Sequence, residues 1–250
     1  MAGIGLQLYT VRDHLQKDFA GTLKRVADIG YRNLELAGYG GMAAQELRRM
    51  LADLGLNPVS SHAPLFGDAN REIEYARELG ASYIVCPWLP EELRRTADDY
   101  RAVGGRLAAL GETCAAAGLT LCYHNHAFEF ETKGDGGEYG YDLLFGAASA
   151  DRLRAELDVY WVERAGLRAT DYISRLGARS PLLHLKDMAA DAGRSFAELG
   201  AGALPLPDII AAGEKAGAQW MFVEQDVCKG DSLESAAVSF AYLKRTGKVS

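Results

Sequence analysis

A glycine recurs where an amphipathic stretch of this sequence ends and a β-rich stretch begins. The glycine closes six such stretches, at Ile29-Gly30, Leu54-Gly55, Leu79-Gly80, Ala117-Gly118, Leu176-Gly177 and Ala216-Gly217. Glycine just past the end of a helix adopts the left-handed conformation without the steric cost of a Cβ atom, so this pattern marks helix ends that lead into strands. The chain is therefore expected to repeat a unit of strand followed by helix.

Eight strands fit this repeat. They are predicted at residues 4–9, 33–37, 58–62, 83–88, 119–124, 154–160, 182–186 and 221–225. Between them apolar residues recur at helical spacing, as in the long segment 96–117, and charges occupy the opposite face. Eight strand–helix units in 250 residues with no internal linker favour an α/β fold with one domain over 1–250, namely a closed (β/α)8 TIM barrel and not an open doubly wound sheet.

The composition favours a small polar substrate over a nucleic acid or a membrane. A formal net charge of −7 does not suit a nucleic-acid surface, which needs clustered Lys and Arg. The sequence has no apolar run of about 18 residues, and it begins with neither a basic leader nor an apolar signal core, so a cytoplasmic location is expected. The four cysteines include no CxxC pair and are interpreted as small buried hydrophobic residues in a reducing compartment.

Ionisable side chains gather where the predicted strands end, which is the end of a TIM barrel that carries active sites. The last inward-facing residues, strand by strand, are Gln7, Glu35, His62, Trp88, His124 with His126, Asp158, His184 with Lys186, and Glu224. Each one alone has a structural explanation, since an aspartate can cap a loop and a strand histidine can be a core residue. Together they indicate a site, because burying several unpaired ionisable groups around one ring is costly without a metal or a substrate.

Three of these residues predict a metal centre. Asp158, His184 and Glu224 lie on three successive strands and face one point. Two carboxylates and one imidazole favour one divalent ion, Mn²⁺, Mg²⁺ or Zn²⁺, with positions left open for substrate oxygens. The pattern is that of a reactive site and not of a closed structural one.

Four motifs occur in order: YHNHAFEF at 123–130, ELDVYW at 156–161, LLHLKD at 182–187 and FVEQD at 222–226. They resemble the sugar phosphate isomerase/epimerase family of the xylose-isomerase-like TIM barrels, which has inosose dehydratase-like relatives. In that family Glu, Asp, His and Glu from strands five to eight hold a divalent ion, and the resemblance assigns Asp158, His184 and Glu224 to the last three positions. The strand-five glutamate is replaced here by His124. Either His124 takes the metal position, or Glu129 folds back to supply a carboxylate.

The resemblance implies isomerisation or epimerisation of a keto sugar or a related polyol ketone through an enediolate, with metal stabilisation of the developing charge. One acid/base is then Glu224, and its counterpart is Glu129, His126 or His124. The remaining residues receive substrate-binding roles by position. Substrate oxygens are assigned to Lys186 and His62, hydroxyl groups to Gln7, Glu35 and Asn125, and an apolar wall for a sugar or cyclitol ring to Trp88.

Other functions fit parts of this pattern. The same enolate could expel a β-hydroxyl, as in the inosose dehydratases, and the sequence does not separate the two outcomes. A sugar-binding barrel without catalysis would follow if His124 has ended metal chemistry. A metal-dependent endonuclease would need more metal ligands and a basic groove. Gly200-Ala-Gly202 suggests a phosphate loop but lies in the middle of the seventh connection, so an unphosphorylated keto sugar or cyclitol is the preferred substrate.

Overall fold

The computed structural model describes residues 1–249 and contains a closed parallel barrel. Its strands are β1 (Gly3–Gln7), β2 (Asn33–Leu36), β3 (Asn57–His62), β4 (Tyr83–Cys86), β5 (Thr120–His124), β6 (Arg154–Asp158), β7 (Leu182–Leu185), β8 (Asp187–Met188), β9 (Phe196–Ala197) and β10 (Trp220–Val223). The barrel order is β1, β10, β7, β6, β5, β4, β3, β2, while β8 and β9 form a separate antiparallel hairpin. The predicted (β/α)8 TIM barrel is confirmed.

Helices surround the barrel. They are α1 (Arg12–Leu15), α2 (Phe19–Ile29), α3 (Ala44–Asp53), α4 (Ala69–Leu79), α5 (Ala97–Ala116), α6 (Gly140–Gly146), α7 (Val159–Arg164), α8 (Ala169–Leu176), α9 (Leu206–Ala216) and α10 (Ser232–Arg245). All six glycines predicted to end helices have positive φ, from 52° at Gly177 to 126° at Gly30, so the repeat was interpreted correctly. Within the described residues no helix is both long and apolar enough to cross a bilayer.

Several predicted strands extend one or two residues beyond the observed ones, and local caps explain two of these differences. The first ends at Gln7, because its Oε1 accepts the N–H of Tyr9 (3.0 Å) and begins a 3-10 turn over Leu8–Val11. The sixth ends at Asp158, because its Oδ1 accepts the N–H of Trp161 (2.9 Å) and caps α7. In both places a polar side chain at the strand end captures a backbone donor of the following turn. Hydrophobic alternation does not reveal such a local cap.

The barrel interior is apolar at one end and ionisable at the other. Val59, Tyr83, Val85, Cys122, Leu182 and Phe222 fill the apolar part. A larger cluster packs the outward strand faces against the helices. The ionisable residues occupy the carboxyl ends of the strands, so the apolar interior forms the floor beneath them. Three of the cysteines are buried as predicted, whereas Cys228 is partly exposed.

Asp187 organises the long connection after β7. Its two carboxylate oxygens accept backbone N–H groups from Met188 (2.8 Å), Gly200 (2.9 Å), Gly202 (3.1 Å) and Leu204 (3.1 Å). These donors include those of the glycine pair that suggested a phosphate loop. A carboxylate of the chain itself therefore fills the anion-binding concavity of this loop.

Candidate metal centre

Two overlapping groups of side chains at the carboxyl ends of the strands could hold a metal ion. The carboxylate-rich group contains His124, Asp158, His184 and Glu224, and the histidine-rich group contains His62, His124, Glu156 and His184. Within each group the ligand atoms lie within 4.8 Å of one another. The structure therefore brings together the three predicted ligands and His124.

Strand register explains why these side chains meet. Asp158 on β6 pairs with His184 on β7, and His124 on β5 pairs with Glu156 on β6. Glu224 follows β10, and its N–H continues the ladder by donating to the carbonyl of Leu185 (3.1 Å). Parallel neighbours in register present their side chains at the same height in the barrel. The pairing therefore arranges these ionisable side chains in one ring around the barrel axis.

Both nitrogens of the His184 ring face carboxylates. Nδ1 lies 2.8 Å from Oε2 of Glu224, whereas Nε2 lies 2.5 Å from Oε2 of Glu35 and 3.1 Å from Oε2 of Glu156. Glu35 is itself held by the side-chain amide of Gln7, which donates to it at 2.7 Å. An Nε2–H donated to Glu35 leaves Nδ1 as the ligand atom, which is how outer carboxylates orient metal-bound histidines. Gln7 and Glu35 are fully buried behind His184.

Glu156 is a member of this ring that the sequence analysis did not select. Its Oε2 lies 2.7 Å from Nε2 of His62 and 3.2 Å from Nδ1 of His124. Glu156 precedes Asp158 by two residues on β6, and alternation places both on the inner face. Considering the last two inward residues of each strand, and not only the last, would have identified it.

The Lys186 ammonium contacts three acidic groups. It lies 3.0 Å from Asp158, 2.7 Å from Glu224 and 2.8 Å from Asp226. The side chain is only 1% exposed. Burial would lower the pKa of Lys186, but these carboxylates raise it well above its ordinary value. Asp226, within the FVEQD motif, was not selected from the sequence either.

The protonation of the histidines differs across the ring. Burial would lower the pKa of His62, but Glu35 and Glu156 raise it to about 10. The same carboxylates overcome burial at His184 and raise its pKa well above the usual range. At His124 burial, reinforced by the charge of His184, lowers the pKa well below its ordinary value. His124 is therefore a neutral imidazole with a lone pair available for a metal.

Glu129 lies outside both groups. The hydroxyl of Tyr123 donates to its Oε1 (2.5 Å), and the backbone N–H of His126 donates to its Oε2 (2.8 Å). Burial raises the pKa of Glu129 to about 8. Asn125 is similarly engaged, since its Oδ1 accepts the N–H of Asp158 (2.9 Å). These two residues support the ring from behind.

A cavity of about 1010 Å³ opens above the ring. Among the residues predicted from the sequence, its wall contains His62, Trp88, His124, His126 and Glu224. The cavity therefore connects two of the candidate ligands, His124 and Glu224, with solvent, as a reactive metal site requires.

The sequence matches the xylose isomerase-like TIM barrel family over residues 23–246. The chain belongs to this family. A sugar phosphate isomerase/epimerase structure from Parabacteroides distasonis ATCC 8503 is similar to it, with 25% identity, a TM-score of 0.84 and 100% of both chains covered. An L-ribulose 3-epimerase has 17% identity and a TM-score of 0.73, over 98% of this chain and 94% of its own.

A third similar structure is that of the IolI protein with a bound zinc atom. It has 12% identity and a TM-score of 0.73, over 99% of this chain and 98% of its own. No curated protein matches the sequence. The fold of this xylose isomerase-like barrel is thus shared with an epimerase and with a zinc-binding protein.

The carboxylate-rich group fits a divalent ion. Oδ2 of Asp158 accepts no hydrogen bond of acceptable geometry, although it is buried and the Lys186 ammonium is close. That oxygen lies 3.9 Å from Nε2 of His124 and 4.0 Å from Nδ1 of His184. Ligands at about 2.0–2.2 Å from a tetrahedral zinc are roughly 3.3–3.6 Å apart. Asp158 would therefore move slightly inward, and Glu224, whose Oε2 lies 2.8 Å from Nδ1 of His184, would move slightly outward. Binding would release the proton from Nδ1 of His184, because ligands must be deprotonated.

Proposed function

We propose that this protein is a divalent-metal-dependent isomerase or epimerase of a keto sugar or a related polyol ketone. The observation that carries the proposal is the convergence of His124, Asp158, His184 and Glu224 below an open cavity. In this proposal His124 is the metal ligand from the fifth strand. It belongs to both groups of ligand atoms, whereas Glu129 accepts a hydrogen bond from Tyr123.

The donor set narrows the choice of metal. Two imidazole nitrogens and two carboxylate oxygens suit Zn²⁺ or Mn²⁺ better than Mg²⁺, which prefers oxygen ligands. When bound, the ion would polarise the substrate carbonyl and stabilise the negative charge that develops on its oxygen. A zinc or manganese ion is accordingly the cofactor that we propose.

Glu224 is the proposed base that removes the proton next to the substrate carbonyl. It lies on the cavity wall, and its Oε2 is 2.7 Å from the Lys186 ammonium. Burial would raise the pKa of Glu224, but Lys186 and His184 lower it, so the carboxylate is ionised. Lys186 therefore acts on the substrate through Glu224 in this proposal.

His126 is the proposed counterpart that returns the proton. Its ring lies on the cavity wall, 5.0 Å from the ring of His124, and its Nδ1 has no hydrogen-bond partner among the described residues. Nδ1 itself is buried, and an imidazole that borders the cavity can exchange a proton with a substrate hydroxyl or carbon. His62, which also lines the cavity, would hold a second substrate oxygen.

The substrate of this proposal carries no phosphate. The backbone donors of the loop at 200–204 are already bonded to Asp187. The charged side chains of the cavity wall are Glu72, Glu131, Glu224 and Asp226 against two cations, Arg164 and the protonated His62. Such a wall repels a phosphate dianion.

Solvent-deuterium exchange tests the proposed reaction. The metal-loaded protein should exchange the proton next to the carbonyl of a keto sugar or an inosose, observed by proton NMR. Glu224→Gln should reduce the exchange rate by about 10²–10⁴-fold, as expected for loss of an acid/base. Glu74→Gln, a change at an exposed glutamate, should leave the rate unchanged. Absence of exchange across a panel of keto sugars and inososes would contradict the proposal, and analysis of the products separates epimerisation from isomerisation and dehydration.

A further inference from the structure

The wall of the cavity above the metal centre is largely apolar. Its apolar side chains include Tyr9, Tyr39, Leu65, Phe66, Trp88 and Phe128. Trp88 is 48% exposed and Tyr9 is 43% exposed, and both are among the most exposed large hydrophobic residues described. A cavity of about 1010 Å³ lies at the upper end of the roughly 300–1,000 Å³ range that buries a drug-sized ligand. The space therefore exceeds the needs of a single sugar ring.

Aromatic contacts hold this wall in a fixed geometry. The ring of Trp88 is nearly perpendicular to His126 (4.8 Å, 83°) and to Phe128 (5.0 Å, 81°), while the last two are parallel (5.4 Å, 6°). The guanidinium of Arg94 covers Phe128 at 3.8 Å and Trp88 at 5.0 Å, and its Nε donates to the carbonyl of Leu89 (3.0 Å). An exposed ring held in this way is preorganised to receive a flat apolar group.

One side-chain ring, that of His126, separates this wall from the metal ligands. His126 lies between them, 4.8 Å from Trp88 on one side and 5.0 Å from His124 on the other. A sugar whose carbonyl reaches the carboxylate-rich group would lie beside His126. Any group attached to the far side of that sugar would then lie on Trp88.

The charges of the wall disfavour an anionic group, and the cation beside Trp88, Arg94, is already engaged with the rings of Trp88 and Phe128 and with the carbonyl of Leu89. Glu72 and Glu131 line the cavity. The one arginine of the wall, Arg164, donates to the backbone carbonyl of Gly193 (2.9 Å). The attached group is therefore uncharged and apolar.

We infer that the substrate is a keto-glycoside, that is, a keto sugar that carries an uncharged aromatic aglycone. The sugar occupies the metal end of the cavity and the aglycone packs on Trp88 next to Phe128. The inference rests on the proposed function for the keto group, whereas the aglycone site rests on the aromatic wall alone.

Calorimetric titration with two simple glucosides tests the aglycone site without requiring turnover. Phenyl β-glucoside should bind about tenfold more tightly than methyl β-glucoside, because the phenyl ring gains apolar burial and aromatic contact. Trp88→Ala should remove this preference and Trp88→Leu should reduce it, with circular dichroism confirming that both variants fold. Val238→Ala, at an exposed hydrophobic residue outside the cavity wall, should leave the preference unchanged.

The outcomes separate this inference from the proposed function. Equal affinities, no measurable binding of either glucoside, or a preference that survives Trp88→Ala would overturn the aglycone site. The preference should persist in His184→Ala, which lacks a metal ligand. If the preference holds while no deuterium exchange occurs with any keto substrate, the aglycone site stands and the proposed reaction is wrong.

Discussion

His124 is the residue at which this ring departs from the ligand pattern that the sequence resemblance implies. A neutral imidazole replaces a carboxylate there, and burial together with His184 keeps its pKa well below the ordinary value. The replacement removes one negative charge and adds one nitrogen ligand. Nitrogen ligands shift preference from Mg²⁺ toward Zn²⁺ and Mn²⁺. One residue therefore sets the metal that we propose.

Metal affinity should depend on His124 and not on Glu129. His124→Ala removes one of four ligands, and we expect at least a 100-fold weaker zinc affinity, measured by competition with a chelating dye. Glu129→Gln should change the affinity by less than about threefold, because Glu129 is bonded to Tyr123 and to the His126 backbone. The reverse ranking of the two variants would show that Glu129 supplies the fourth ligand.

Glu129 should also make stability depend on pH. Burial raises its pKa from 4.5 to about 8, so the folded state binds its proton more tightly than the unfolded chain does. The free energy of unfolding should therefore fall as pH rises between these two values, by up to about 1.4 kcal/mol per pH unit. Urea unfolding of the parent and of Glu129→Gln across this window measures the contribution. A parent and variant with the same pH dependence would contradict it.

At the scale of elements, the local sequence predicted where the helices end but not where they touch. Gly30 and the other helix-ending glycines are recognisable because a positive φ depends only on the chain near them. Gly104 in α5 has no such local signal. It is buried where α5 crosses α6, and a Cβ atom there would overlap the carbonyl oxygen of Leu144.

The neighbouring glycine of α5 provides a matched comparison. Gly104→Ala should destabilise the protein by about 1–3 kcal/mol, because overpacking forces the two helices apart. Gly105 is exposed and a Cβ atom there would meet nothing within 4 Å, so Gly105→Ala should stabilise by up to about 1 kcal/mol through helix propensity. Thermal unfolding of both variants measures the difference. Two variants of equal stability would show that the α5–α6 contact is not tight.

At the scale of the molecule, the repeat of strand and helix predicted the closed barrel because each unit is specified locally and short connections leave few topologies. Asp158, His184 and Glu224 were predicted to converge for the same reason, since the ends of successive strands are neighbours. Contacts across the barrel were not predictable in this way. That Glu35 reaches His184 from β2 depends on barrel diameter and on side-chain conformation, which no sequence spacing encodes.

The binding roles assigned from strand position illustrate the limit. His62, Trp88 and His126 lie on the cavity wall, and their roles stay predictions. Gln7 and Glu35 were predicted to bind hydroxyl groups of the substrate. Both are completely buried, and the side-chain amide of Gln7 donates a hydrogen bond to Glu35. An inward-facing residue can lie behind the ring or on its open side, and only the packing of the other strands decides which.

Metal content tests the central claim most directly. Elemental analysis of protein purified without chelator, and again after incubation with excess zinc or manganese, should show close to one ion per chain. His184→Ala should lose it, because Nδ1 of His184 contacts Glu224 at the centre of the carboxylate-rich group. Glu74→Gln, at an exposed position, should retain it. A parent protein that binds no ion under either condition would contradict the account and favour a barrel that binds sugars without metal chemistry.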